Sequence, residues 1–268
     1  VYYGTSSPLV SNATFHAIGA VATMAYGNCQ NFSQTLNARQ LTQRLQSSRG
    51  TQNALYENYG YNAQGKVTTI SNSYTNDNRT FGYDGLGRLI SASGSWGSGS
   101  FVYDALDNLR QKRLGSRTVS LTYDSRNRLT RSTDTGPSGT RTLLYDARGN
   151  VTRLGSQNFV YDYSDQPVTA SGTASGNYKY DGNLKRVRAV INGKTIYNVY
   201  DLSGALVHID QATDNRRTDY VTGPMGPVAR ITNNAITYLH LDHLGTPITR
   251  TNTAGNIVWR EKYTPYGV

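Results

Sequence analysis

A tyrosine recurs through most of this chain at a nearly constant interval. Tyr61, Tyr83, Tyr103, Tyr123, Tyr145, Tyr161, Tyr180, Tyr200, Tyr220 and Tyr238 are separated by 22, 20, 20, 22, 16, 19, 20, 20 and 18 residues. Seven of them are followed directly by Asp, at Asp84, Asp104, Asp124, Asp146, Asp162, Asp181 and Asp201. A unit of this size cannot bury its own apolar face and must stack on its neighbours. The chain is therefore an array of repeats, which argues against a compact enzyme domain.

The residue types within one period identify the unit. Two positions before most of these tyrosines stands a large apolar residue: Phe81, Phe101, Leu121, Leu143, Phe159, Tyr178 or Ile236. Residues two apart on a strand share a face, so each repeat carries an apolar–Tyr pair on one side of a sheet. Thr118–Tyr123 alternates cleanly, with Val119, Leu121 and Tyr123 on one face and Ser120 and Thr122 on the other. The Asp after the Tyr suits a turn corner, where its carboxylate accepts backbone N–H bonds. Gly87, Asn108, Asn127, Gly149 and Gly204 are placed to supply a positive φ behind it. Leu89, Leu109, Leu129, Val151 and Leu206 then open the next strand. Two strands of about six residues and two short turns fill the period. The predicted fold is all-β, a continuous antiparallel strip of hairpins.

Mean hydropathy is −0.56 with 37% hydrophobic residues, which suits a sheet with one wet face better than a single large globule. Thr35–Leu45 is the best helical candidate, but Leu36-Asn37-Ala38-Arg39-Gln40-Leu41 parallels Tyr61–Val67 with one residue deleted and is read as a degenerate repeat. Repeat quality divides the chain into degenerate repeats over 1–60, regular repeats over 61–237 and a distinct segment over 238–268, all in one continuous domain. No apolar run approaches the ~18–20 residues of a membrane-spanning helix. The start at Val1, without an initiator Met or signal peptide, reads as a piece of something longer.

Candidates for chemistry are few. His240-Leu241-Asp242-His243 places His240 and Asp242 on one strand face and His243 on the other, but a zinc site needs a further ligand, and His16 and His208 lack the spacing. The repeated aspartates resemble paired carboxylates, yet they recur because the turn recurs. The single cysteine, Cys29, excludes an internal disulfide and has no His–acid pattern beside it. The glycines at 87 and 149 lack the strand–loop–helix setting of a phosphate loop. No catalytic, cofactor or metal site is assigned. Lys and Arg number 27 against 17 acids, a net charge of +10, with clusters at Lys112-Arg113, Lys185–Arg188 and Arg216-Arg217. Such a strip could attract nucleic acid or sulfated glycan. The arginines, however, are spread over many repeats and often take the turn slot (Arg88, Arg128, Arg148), which favours solvated hairpin ends.

The repeats resemble the YD repeats of Rhs proteins, a family that includes bacterial polymorphic toxins, the C subunits of insecticidal toxin complexes and the animal teneurins. The end of the chain is more specific. Tyr238–Pro247, which contains Asp242-His243-Leu244-Gly245-Thr246-Pro247, then Gly255–Trp259, then Tyr263-Thr264-Pro265-Tyr266-Gly267, resemble the segment near the C-terminal end of the Rhs core. In Gly27-Asn28-Cys29 the cysteine stands where the family has a turn glycine. The resemblance implies that the structural repeat residues are Tyr83, Asp84, Gly87, Tyr103, Asp104, Tyr123, Asp124, Tyr145, Asp146, Gly149, Tyr161, Asp162, Tyr180, Asp181, Tyr200 and Asp201. It makes Asp242, His243, Leu244, Gly245, Pro247, Trp259, Pro265 and Gly267 the family motif. It further implies a hollow shell around a C-terminal toxin, with an autoprotease segment and the toxin lying past Val268. The implied partners are the remainder of the shell, the enclosed toxin and a secretion-system spike or chaperone, with secretion or delivery into a target cell. The competing reading is a cell-surface strip that binds carbohydrate through exposed tyrosine faces. An enzyme would need convergent acid and base groups, which a periodic turn does not supply.

Overall fold

The computed structural model of the chain describes residues 8–72 and 77–266 and is all-β, as the repeat predicts. Among the described residues 25 strands divide between two compact units, one lying within residues 1–97 and 219–268 and the other within residues 98–218.

The first unit contains two meanders. One runs through β1 (Val10–Phe15), β2 (Val21–Tyr26), β3 (Asn31–Leu36), β4 (Thr42–Arg49), β5 (Gln52–Tyr61), β6 (Val67–Ser71), β7 (Arg79–Tyr83) and β8 (Leu89–Gly94), each antiparallel to the next. The second unit is a single meander: β9 (Gly97–Tyr103), β10 (Leu109–Leu114), β11 (Arg117–Tyr123), β12 (Leu129–Asp134), β13 (Thr140–Tyr145), β14 (Val151–Leu154), β15 (Gln157–Tyr161), β16 (Pro167–Ser171), β17 (Gly176–Tyr180), β18 (Arg186–Ile191), β19 (Lys194–Tyr200) and β20 (Leu206–Gln211). After β21 (Arg216–Gly223), the other meander of the first unit follows in β22 (Gly226–Thr232), β23 (Ala235–Leu241), β24 (Pro247–Asn252) and β25 (Ile257–Arg260).

Two kinds of hairpin alternate. The Tyr-Asp corner is a four-residue loop: in Asp84–Gly87 the Gly87 N–H donates to the Asp84 carbonyl, the Asp84 N–H donates to Arg88, and Gly87 has φ +77°. A type I turn closed by a left-handed residue gives this geometry and shifts the register by one, as seen between Gly82 and Tyr83. Several of the opposite ends use two-residue turns, as between β10 and β11, β14 and β15, and β18 and β19, while others, such as β12–β13 and β16–β17, are longer. Asn192-Gly193 between β18 and β19 has φ +48° and +81°, the pair of positive values that matches strand twist.

Thr35–Leu45 forms no helix; it is the end of β3, a corner and the start of β4. Gln40 takes the left-handed position that Gly65 takes in the next corner (φ +64° and +80°), so the two corners correspond without a deletion. Cys29, at φ +64°, occupies the turn-glycine place. Asn108 does not carry the positive φ expected of it. Asp107 does, at +63°, while the Asn108 side chain donates to the Asp104 carboxylate instead.

The apolar core lies in the first unit. Leu9, Val10, Met24, Tyr26, Phe32, Leu45, Leu55 and Tyr59 pack with Val228, Ala229, Ile231 and Tyr238. In the second unit the buried apolar residues are Phe101, Ala170 and Ala189, and the remaining large apolar side chains are half-buried or exposed. A single-layer sheet shields side chains only against their neighbours along the sheet, which is why the hydropathy of the chain is low.

Candidate functional site

The repeat residues are spent on the scaffold. In eight corners the aspartate Oδ1 accepts two backbone N–H bonds, from the second and fourth residues after it, at 2.8–3.0 Å: Asp84, Asp104, Asp124, Asp146, Asp162, Asp181, Asp201 and Asp242. Asn37 and Asn252 do the same with an amide oxygen. The carboxyls of Asp84 and Asp124 are held below the ordinary range first by the backbone N–H of Arg88 and of Arg128. Those of Asp104, Asp146 and Asp201 are lowered first by the side chains of Asn108, Asn150 and Ser203.

The tyrosines link one repeat to the one before it. Their hydroxyls donate to the carbonyl of the first residue of an earlier strand: Tyr61 to Thr42, Tyr83 to Val67, Tyr123 to Leu109, Tyr145 to Leu129, Tyr161 to Val151, Tyr180 to Pro167, Tyr200 to Arg186 and Tyr263 to Pro247, at 2.6–3.2 Å. Tyr103 closes β9 opposite Leu109. Cations cover several rings, with Arg110 5.5 Å from the Tyr123 centroid and Arg128 4.8 Å from that of Tyr145. The corner arginines are not simply solvated ends. Arg88 and Arg128 bond their own aspartates, while Arg148 reaches the carbonyls of Asp162 and Tyr163 in the next corner. Arg39 makes the equivalent reach to Asn62 and Ala63.

The family-motif residues sit where residues 1–97 meet 219–268. His240 is fully buried on β23, its Nε2 2.9 Å from Thr251 Oγ1, and burial holds its imidazole down at about 3. Its ring lies edge-on to Tyr26 at 4.8 Å, and the Tyr26 hydroxyl donates to the Leu239 carbonyl at 2.9 Å. Asn28 donates to Thr251 Oγ1 and to the Asn252 carbonyl, both at 2.8 Å, and Gln30 donates to Gly255. His240 and Asp242 do not share a strand face. A register shift at Leu241 ends the strand and makes Asp242 a corner. His243 leaves that corner to lie 4.5 Å from the Tyr59 ring. Leu244 is exposed, Gly245 has φ +80°, Pro247 opens β24, and Arg250 covers Trp259 at 4.9 Å. Pro265 lies in the last described turn, and Gly267 falls outside the described residues.

One buried polar set was not foreseen. Glu57 on β5 accepts from the Tyr59 hydroxyl and forms an ion pair with Arg79 of β7 at 2.5 Å, with Asp77 and Asp242 adding to its field. Burial raises the Glu57 carboxyl and the Tyr59 phenol, and it lowers His243. The signal was present: Glu57 is one of two glutamates in the chain and stands on the buried alternation of Leu55 and Tyr59. Among the described residues no group of three metal-binding side chains converges. Arg79 pairs with Glu57 and Tyr59 bonds it, so the set braces β5 against β7.

These corners and tyrosyl links recur from residue 26 to 263, and a profile of the teneurin YD-shell family matches residues 10–268. The chain belongs to that family of YD-repeat proteins. It is 26% identical over 258 residues to double-stranded DNA deaminase toxin A of Burkholderia cenocepacia (strain H111), covering 80% of this chain and 17% of the toxin. A TcdB2–TccC3 crystal structure superposes with a TM-score of 0.71 at 19% identity, covering 100% of this chain and 16% of that one. The Tc holotoxin pore of Photorhabdus luminescens gives 0.68 at 17% identity, with 97% and 16% covered. These structures speak for the YD-shell fold. The chain spans 16–17% of the length of these relatives.

Proposed function

We propose that this chain is a structural segment of an Rhs-type shell that encloses and delivers a C-terminal toxin domain, with no catalytic role of its own. The observation that carries the reading is the fate of the repeat residues. Tyrosine hydroxyls bond backbone carbonyls of earlier strands, and corner carboxylates bond their own turns, so the residues that define the family build a wall. The similarity to Tc toxin structures and to a deaminase toxin supports the same role, with the rest of the shell and an enclosed toxin as partners and secretion or delivery as the setting. The carbohydrate-binding alternative needs free tyrosine faces, whereas Tyr83, Tyr123 and Tyr145 are half-buried with their hydroxyls engaged.

The test uses the natural protein that carries this segment. Limited proteolysis should leave its C-terminal domain intact until denaturant opens the shell, and the protein should retain no glycan on an array. A C-terminal domain cleaved as fast as an unstructured tail, or selective glycan retention abolished by tyrosine substitution, would overturn the proposal.

A further inference from the structure

The charge of the chain is not spread evenly over the second unit. Its ladder registers place Val102, Gln111, Arg113, Ser120, Thr122, Arg131, Thr142, Leu144, Arg153, Asn158, Val160, Asn177, Lys179, Arg188 and Val199 on one face of the sheet, opposite the face that carries the tyrosine ladder. Arg113, Arg131, Arg153 and Lys179 are exposed there, as are Val102, Leu144, Val160 and Val199. From β10 to β19 no acid occupies this face. The aspartates lie in the corners or, like Asp134, on the tyrosine side, and the first acid on this face is Asp210 of β20, 3.9 Å from Arg217.

The cations also fall in a line. Arg113 pairs with Thr118 and Arg131 with Thr122, four residues further along β11. Arg131 pairs with Thr142 and Arg153 with Leu144, a further two residues on. The ladder through Asn158, Val160, Thr169 and Asn177 advances four more before Lys179 pairs with Arg188. At ~4.8 Å per strand and ~3.3 Å per residue, successive cations stand about 12–20 Å apart on one diagonal.

We infer that this open face of residues 98–218 binds an extended acidic polypeptide. The spacing suits a chain with an acidic residue at every fourth to sixth position, because an extended chain advances about 3.3 Å per residue. Nucleic acid fits poorly. Phosphates follow each other every ~3.4 Å along a duplex strand, so most would face no cation. The exposed side chains among the cations are aliphatic (Leu144, Val160) or small and polar (Ser120, Thr142, Asn158, Asn177), with Tyr197 the one exposed aromatic of β19, where stacking would need a row of rings. Val102, Leu144, Val160 and Val199 instead offer contacts for apolar side chains between the acids. Assigning that acidic polypeptide to the enclosed domain rests on the shell reading above; the binding itself does not.

The probe is a fluorescein-labelled 20-residue peptide with Glu at every fifth position and Leu, Val, Ser and Thr between, followed by fluorescence anisotropy on the 268-residue chain. Arg131→Gln/Arg153→Gln/Lys179→Gln should weaken binding by at least about tenfold. A charge-matched control, Arg126→Gln/Arg216→Gln/Lys262→Gln, should stay within about twofold of the parent. These side chains are exposed, and an unchanged thermal melt confirms folding of both variants. A single-stranded DNA and a heparin fragment of equal charge should bind more weakly than the peptide. Equal losses in the two variants, absence of peptide binding, or preference for DNA or heparin would overturn the inference. None of those results alters the proteolysis outcome, so this failure and that of the shell reading are distinguishable.

Discussion

Replacing Tyr26 by Phe tests whether residues 1–97 and 219–268 are held together as one body. Tyr26 is 3% exposed, and its hydroxyl donates to the carbonyl of Leu239, itself 4% exposed and 213 residues away. Phenylalanine keeps the ring and its edge contacts with Tyr238 and His240 but removes the donor. Water has no route to a carbonyl buried there, so the cost is the desolvation of an acceptor without that partner, ~1–3 kcal/mol. The same change at Tyr123 removes a bond to Leu109 from a half-buried ring, where water substitutes, and should cost ~0.5–1 kcal/mol. Urea unfolding of both variants gives the difference. Hydrogen exchange locates it: protection should fall in β2 and β23 together for Tyr26→Phe. Equal costs for the two variants, or loss of protection confined to β1–β3, would refute the argument that distant repeats share one cooperative core.

Other outcomes follow from single features. Leu184 stands in a left-handed corner at φ +60° with its side chain half exposed, so Leu184→Gly should stabilise the chain by ~0.5–1 kcal/mol in urea unfolding. Arg79→Met leaves Glu57 buried without its cation and should cost ~3–5 kcal/mol, most of which the second change Glu57→Gln recovers. Asp242→Asn keeps the acceptor that Asn37 and Asn252 use in their corners and should change stability by less than ~0.5 kcal/mol, whereas Asp242→Ala should not be tolerated as well. Acid should weaken the fold in two stages. His240 is neutral when folded and held at about 3, against ~6.5 unfolded, so stability falls as pH drops below ~6.5, and His240→Gln should flatten this part. Asp84, Asp104, Asp124, Asp146 and Asp201 have depressed values when folded, so their contribution is present above ~3.9 and is lost as pH falls further. Urea midpoints measured across both ranges check the order.

The local architecture was legible in the sequence because its causes are local. A Tyr, an Asp acceptor and a left-handed residue three positions after the Asp make a corner wherever they occur, and alternation decides which side chains share a face. Even irregular members obeyed: Gln40, Cys29 and Asp107 accept the left-handed backbone because the surrounding hydrogen bonds demand it. Three things could not be read from spacing. The tyrosine hydroxyls reach carbonyls 10–19 residues back, a link set by strand stagger and not by sequence neighbours. The packing of residues 1–97 on 219–268 joins groups more than 200 residues apart, such as Asn28 with Thr251, and no periodicity encodes such a meeting. The segregation of Arg113, Arg131, Arg153 and Lys179 from the aspartates depends on register shifts accumulated at each corner bulge. Composition counted those charges; only the ladder of backbone pairings decided that they lie on one open face.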